Sequence, residues 1–259
     1  MGKLQGKIAS VLGAAGKGNM GQTIARRLAA EGAKVVVSGR HEDVLKELAE
    51  ELGGDYVLCD ITDKASIDDM VNTIVDRHGR IDIAVNATGW GLLKPFQETT
   101  EQELQDMMAL QFKGPFQWMQ ELTAAMAKTG GGSILQISSA TATIMLDNHA
   151  AYMGTKAGID HVVRCVANEF GAQGIRANSI SPGLTETPMT AGTPKPMIDE
   201  FAKGYPLGRI GTSDDIAAAA VFLASDECFM TGQNLQVNGG LTLRRNPNTA
   251  EIMGSLTGG

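Results

Sequence analysis

Seven short runs rich in β-branched residues alternate with amphipathic stretches along the chain, and few architectures accept that rhythm. The runs fall at 8–12, 34–38, 56–59, 81–86, 133–137, 177–180 and 234–237. Helical patterns lie between them, at 23–31, 44–52, 101–128, 151–171 and 214–224. A further stretch carries Ile67, Met70, Val71, Ile74 and Val75 at helical spacing. Strands joined through helices pair in parallel, because each connection must cross back over the sheet. The expectation is one α/β domain, a seven-stranded doubly wound parallel sheet spanning 1–243, with a tail at 244–259. At 259 residues the chain suits one such domain better than two small ones. The stretch 183–207 is aperiodic and rich in Thr, Pro and Gly, and reads as a substrate lid.

Composition removes several function classes. The net charge of −7 argues against nucleic acid, which demands a basic face. Three cysteines and four dispersed histidines give neither a disulfide framework nor a metal cluster. No apolar run reaches membrane-spanning length and the polar N-terminus is no signal peptide, so the expected location is the cytoplasm, with no membrane partner.

A glycine-rich turn, Gly13 to Gly21, separates the first strand from the first helix. In such a turn main-chain N–H groups approach a pyrophosphate at the helix N-terminus. Gly13, Lys17, Asn19 and Met20 are the candidate contacts. The second strand ends in Ser38-Gly39-Arg40, where an NAD site would place an acid on the ribose 2′-hydroxyl. Gly39 stands there instead, and Arg40 with Lys17 is suited to a 2′-phosphate, so NADP(H) is favoured over NAD(H). Asp60, followed by Ile61, ends the third strand, placed to accept from the adenine amino group. Asn86, Ala87 and Gly89 end the fourth, at the carboxyl edge where ligands bind.

The fifth strand ends at Ser139, and Tyr152 and Lys156 follow four residues apart on one helix face. An ammonium beside a phenol favours the phenolate, which fits Tyr152 to exchange a proton with a substrate oxygen. Ser139 would hold that oxygen by a hydrogen bond.

These motifs, with Asn178-x-x-x-Pro182-Gly183 and the closing 231–240 segment, resemble the short-chain dehydrogenase/reductase family over residues 4–241. The resemblance implies a single-domain Rossmann fold and a nicotinamide cofactor. It implies that Lys156 also binds the nicotinamide ribose. It further implies that Pro182, Gly183, Thr185 and Thr187 line the nicotinamide, and that the protein is a homotetramer. The turn is two residues longer than the family's usual one, a length similar to that in enoyl-acyl-carrier reductases, so which of Lys17, Gly18, Asn19 and Met20 touches phosphate stays open. Those reductases space tyrosine and lysine further apart than Tyr152 and Lys156. Gln111 replaces a helix asparagine whose local bend supports a water relay from the lysine, and glutamine, a better helix former, is expected to rebuild or weaken that relay.

Around the expected pocket stand Trp90, Phe96, Thr141, Ile144, Met145, His149, Met189 and Met197. The set is mostly apolar and predicts a small lipophilic ketone or secondary alcohol, of hydroxysteroid, aromatic or acyl type. His149 is placed to donate to a polar group of the substrate. A 3-oxoacyl-(acyl-carrier-protein) reductase is the alternative. The segments 128–132 and 172–174 offer little positive charge for an acidic carrier, so that partner is not expected. A non-catalytic nucleotide sensor is the second alternative, with Gln111 its support.

Overall fold

The computed structural model describes residues 2–188 and 190–257. The chain runs β1 (Ile8–Leu12), α1 (Met20–Ala30), β2 (Lys34–Gly39), α2 (Glu42–Leu52), β3 (Asp55–Leu58), α3 (Lys64–His78) and β4 (Ile83–Asn86). It continues through α4 (Glu101–Met108), α5 (Gly114–Ala127), β5 (Gly132–Ile137), α6 (Ala150–Phe170), β6 (Ile175–Pro182), β7 (Thr185–Glu186) and α7 (Lys195–Ala202). Then come β8 (Gly211–Thr212), α8 (Ser213–Ala224), β9 (Asn234–Val237) and α9 (Thr249–Thr257). Seven strands form one parallel sheet in the order β3-β2-β1-β4-β5-β6-β9. The order reverses at β1, which pairs with both β2 and β4. The crevice above their carboxyl ends is where such sheets bind ligands.

Two apolar layers close the sheet. One face packs Ile24, Leu28, Leu45 and Leu48 with Ile216 and Ala220. The other packs Ile67, Met70 and Ile74 with Trp118, Leu122 and Ile159. A third cluster, Ala140, Phe201, Tyr205, Ile210 and Leu241, lies at the carboxyl end. Strands buried on both faces read as near-continuous hydrophobic runs, which is why their positions were legible.

Three segments depart from the sequence reading. The expected single helix over 101–128 is interrupted by a π-helical turn, Ala109–Lys113. Pro115 follows at the start of α5. A proline ring there collides with the carbonyl four residues back, that of Gln111, and lacks the N–H that would bond it. The helix therefore bulges before Pro115, so glutamine at 111 leaves the bend in place. The stretch 183–207 is not wholly irregular: α7 lies within it, and Phe201 buries against Tyr205 and Leu241.

The tail is ordered through Thr257. Helix α9 packs on α7, and Ile252 joins the third cluster. Asp147 caps its start, accepting from Thr249 N and Oγ1 at 3.0 and 2.9 Å. Asn246 Nδ2 donates to the Met145 carbonyl at 2.9 Å. The tail thus ties the loop after β5 to α7.

Candidate active site

The turn after β1 folds tightly against the end of β4. Gly13 sits at φ +96°, and a Cβ there would meet Ala87 C at 2.7 Å, so no other residue fits without moving one strand end. Asn19 is spent on structure: its Oδ1 accepts from Gln22 N at 3.0 Å as the cap of α1, and its Nδ2 donates to Gly13 O at 2.8 Å. Met20 is the first residue of α1. At the end of β2, a Cβ on Gly39 would meet Ala15 Cβ at 2.6 Å. The place where an NAD site carries an acid is therefore filled by the turn itself. Arg40 is exposed, with Nη1 3.8 Å from Asp60 Oδ2. The other oxygen of Asp60 accepts from Thr62 N and Oγ1 at 2.9 and 2.7 Å. Lys17 Nζ pairs with Glu47 Oε2 at 2.9 Å, both exposed. Ile61 is buried in the core. Asn86 is buried and braces strands: Nδ2 donates to Gln136 Oε1 at 2.9 Å, and Oδ1 accepts from Thr88 N and Oγ1.

At the end of β5, Ser139 Oγ lies 2.8 Å from Thr141 Oγ1 and accepts from Thr141 N at 3.2 Å. Tyr152 and Lys156 project from α6 beside it. Lys156 is 3% exposed, and its Nζ donates to the Ile137 carbonyl at 2.9 Å while lying 5.5 Å from the centre of the Tyr152 ring. Burial drives the Lys156 ammonium down to about 8, with the Asp160 charge opposing the shift. Burial pushes the Tyr152 phenol up, and the Ser139 hydroxyl beside it pulls the other way.

Gln111 is 2% exposed and donates through Nε2 to the Trp90 carbonyl at 3.2 Å. Its Oε1 is buried without a partner among the described residues. That oxygen would lie 3.4 Å, and Lys156 Nζ 3.8 Å, from a Cβ on Gly89. Gln111 Oε1 and Lys156 Nζ thus both border the space left by the absent side chain at Gly89.

On the far side, Gly183 follows β6, and a Cβ there would meet Tyr205 Oη at 2.2 Å. Thr185 is buried and donates to Gly183 O at 3.0 Å, and Thr187 N donates to Thr190 Oγ1 at 3.0 Å. Pro182 closes β6. Of the expected pocket residues, His149 is buried and its ring stacks on Tyr152, with centroids 4.3 Å apart. Thr141 touches Ser139, and Trp90 is partly exposed. Met145 and Phe96 are largely exposed, at 74% and 80%, while Ile144 and Met197 pack into the third cluster. Met189 lies outside the described residues.

The sequence reading missed Asp160. It continues the stripe His149, Tyr152, Lys156 along α6, a spacing visible in the sequence but one that also describes an ordinary solvated acid. Its Oδ2 accepts from Ser138 Oγ at 2.8 Å and from Asn234 Nδ2 at 2.5 Å. Burial raises its pKa, and the Ser179 and Ser138 hydroxyls and the Lys156 charge lower it. Asp160 thereby joins the helix of Tyr152 to the strand end of Ser139 and to β9. Asp160→Asn is expected to lower kcat about tenfold, since a weaker tether loosens geometry that rate depends on steeply. It should also move the Lys156 titration to lower pH, because the carboxylate is what holds it up. A pH–rate profile unchanged by the substitution removes Asp160 from the site.

The residues present fit a dinucleotide: the glycine turn packs on Ala87 through Gly13 and under Gly39 through Ala15 and opens α1 at the reversal of strand order, and Gly89 leaves room beside Gln111 and Lys156. With a serine, a tyrosine and a buried lysine at its end, the site is that of a nicotinamide-dependent oxidoreductase working between CH–OH and C=O. A family model described as enoyl-(acyl carrier protein) reductase matches residues 13–242. D-threitol dehydrogenase of Mycolicibacterium smegmatis is 36% identical, over 93% of this chain and 95% of that protein. A short-chain type dehydrogenase/reductase from Mycobacterium ulcerans superposes with a TM-score of 0.92 at 31% identity, covering 98% of this chain and 96% of the other. A gluconate 5-dehydrogenase from Burkholderia cenocepacia, solved with NADP and tartrate, gives a TM-score of 0.88 at 29% identity, over 93% and 96%. The chain belongs to the short-chain dehydrogenase/reductase family. Among the described residues, no helix is long and apolar enough to cross a membrane, and no group of His, Cys, Asp and Glu is placed to hold a metal.

Proposed function

We propose that the protein is an NADP(H)-dependent oxidoreductase that interconverts a ketone and a secondary alcohol on a small molecule. The observation that carries this reading is the convergence of Ser139, Tyr152 and Lys156 at the end of β5. When bound, the nicotinamide supplies or receives the hydride. Ser139 holds the substrate oxygen, its own hydroxyl oriented by Thr141. Tyr152 passes a proton at that oxygen, and Lys156 stabilises the negative charge that gathers on the phenol. Gln111, with its unpartnered Oε1 facing the gap at Gly89, serves the proton route behind Lys156. The deciding assay is a panel of ketones and alcohols with both cofactors. Turnover of none leaves the carrier-bound 3-oxoacyl reductase and the nucleotide-sensing alternatives.

The choice of NADP(H) rests on Gly39, Arg40 and Lys17. Ala15 leaves no room for an acid at Gly39, and Arg40 offers its guanidinium at the strand end. Lys17 must leave Glu47 to reach a 2′-phosphate, which costs little because an exposed ion pair contributes about 0–1 kcal/mol. Arg40→Ala is expected to weaken NADPH binding by roughly 10–100-fold, the scale of a charge-assisted hydrogen bond, and NADH binding far less. Fluorescence titration with each cofactor reads this, and equal losses would sink the assignment.

The names of the similar proteins, threitol and gluconate dehydrogenases, belong to hydroxyl-rich substrates. They favour a hydroxylated substrate as a second reading, against the lipophilic one drawn from the apolar set around Trp90. The proposal includes a homotetramer in the cytoplasm. It includes no membrane, nucleic-acid or acyl-carrier partner, in keeping with the net charge of −7.

A further inference from the structure

We infer that His149 reads a hydroxyl group of the substrate next to the reacting carbon, and that it does so as a hydrogen-bond acceptor. The inference rests on the ketone–alcohol reading above and names the substrate class for that site: a hydroxyketone or its vicinal diol.

The chemistry follows from one contact. His149 Nδ1 lies 2.8 Å from the Leu92 carbonyl oxygen. A carbonyl can only accept, so Nδ1 carries the hydrogen. Burial depresses the imidazole's pKa, which keeps the ring neutral with a single proton. Nε2 is then a bare lone pair. It has no protein partner among the described residues, although the residue is only 8% exposed. Nε2 is not among the fully buried unpartnered atoms, so a ligand can reach it, and a hydroxyl that donates to it makes a hydrogen bond the protein does not already satisfy. The imidazole stacks on the Tyr152 ring at 4.3 Å between centroids and 27° between planes, so it lies against the side chain that serves the reacting oxygen. The wall that fixes the ring is built: Lys94 N donates to the Asn148 carbonyl at 2.6 Å, and Asn148 takes φ +59° to turn the chain into α6. The polarity expected from the sequence, His149 as donor, is therefore reversed. A plain ketone or ether oxygen next to the reacting carbon would face lone pair against lone pair.

Two matched pairs test this with NADPH: 3-hydroxy-2-butanone against 2-butanone, and 2-hydroxycyclohexanone against cyclohexanone. The wild type is expected to favour the hydroxylated member by about tenfold or more in kcat/KM, as one hydrogen bond into a prepared site allows. His149→Phe keeps a stacked ring and removes the acceptor, so the ratio should fall towards one whatever the absolute rate. His149→Gln offers an amide oxygen and should recover part of the ratio. Turnover of both members without preference, or a preference that survives in His149→Phe, overturns the assignment and leaves the ketone-reductase reading standing. Failure of all four compounds with either cofactor overturns that reading and this one with it. A readout independent of turnover and of any variant is the ring ¹⁵N spectrum of the wild type: the Nδ1–H tautomer is expected, and the Nε2–H tautomer overturns the inference.

Discussion

Tyr152→Phe is expected to lower kcat for ketone reduction by about 10²–10⁴-fold, the range that a positioned general acid contributes. The substitution removes one oxygen and little else. The ring still stacks on His149, and the Lys156 bond to the Ile137 carbonyl does not involve the phenol. Binding should therefore change much less than the rate, and the loss should appear in kcat rather than KM. Steady-state NADPH oxidation with a turned-over ketone gives both constants. Retention of kcat in the variant would end the proton-transfer role of Tyr152.

The second large effect is a pH limb set by Lys156. Its ammonium is depressed to about 8 because it is buried, with the Asp160 charge working against the shift. A depressed lysine is charged below its folded pKa and neutral above it. The charge that stabilises the developing phenolate is thus present below pH 8 and is lost as pH rises through it. In the free enzyme, kcat/KM for ketone reduction should hold on the acid side of about pH 8 and decline on the alkaline side, the limb belonging to the Tyr152–Lys156 pair. Lys156→Met should lower kcat/KM by roughly 10²–10³-fold, as loss of one preorganised electrostatic group does, and should abolish that limb. A wild-type profile that stays flat well above pH 8 contradicts the assignment, and so does a variant that keeps the limb.

Much of this site could be read along the chain because its parts sit at strand ends. Ser139, Tyr152 and Lys156 are fixed by the carboxyl end of β5 and by one face of α6. The glycine turn was legible for the same reason, lying between β1 and α1. Asn19 shows the limit of such reading. Its position in the turn suggested phosphate, yet its side chain caps α1 and holds Gly13. Gln111 shows another. Local propensity marked glutamine there as the better helix former, and Pro115, four residues on, imposes the bend all the same.

By itself the sequence determined the sheet, its parallel sense and the trio at its edge, because strand and helix periodicities and turn residues are local properties of a chain. Tertiary structure alone decided three other things. The Leu92 carbonyl, 57 residues from His149, chooses which ring nitrogen carries the proton. The tail helix starts on a local cap, Asn248 with Glu251, but where it docks is decided by Asp147, about a hundred residues away along the chain, and by the third cluster that Ile252 joins. Asp160 becomes part of the site because Ser138 and Asn234 arrive on either side of it from different strands. In each case the deciding energy is a hydrogen bond or apolar contact between distant segments. Such terms exist only after the chain has closed on itself, so no window of sequence contains them.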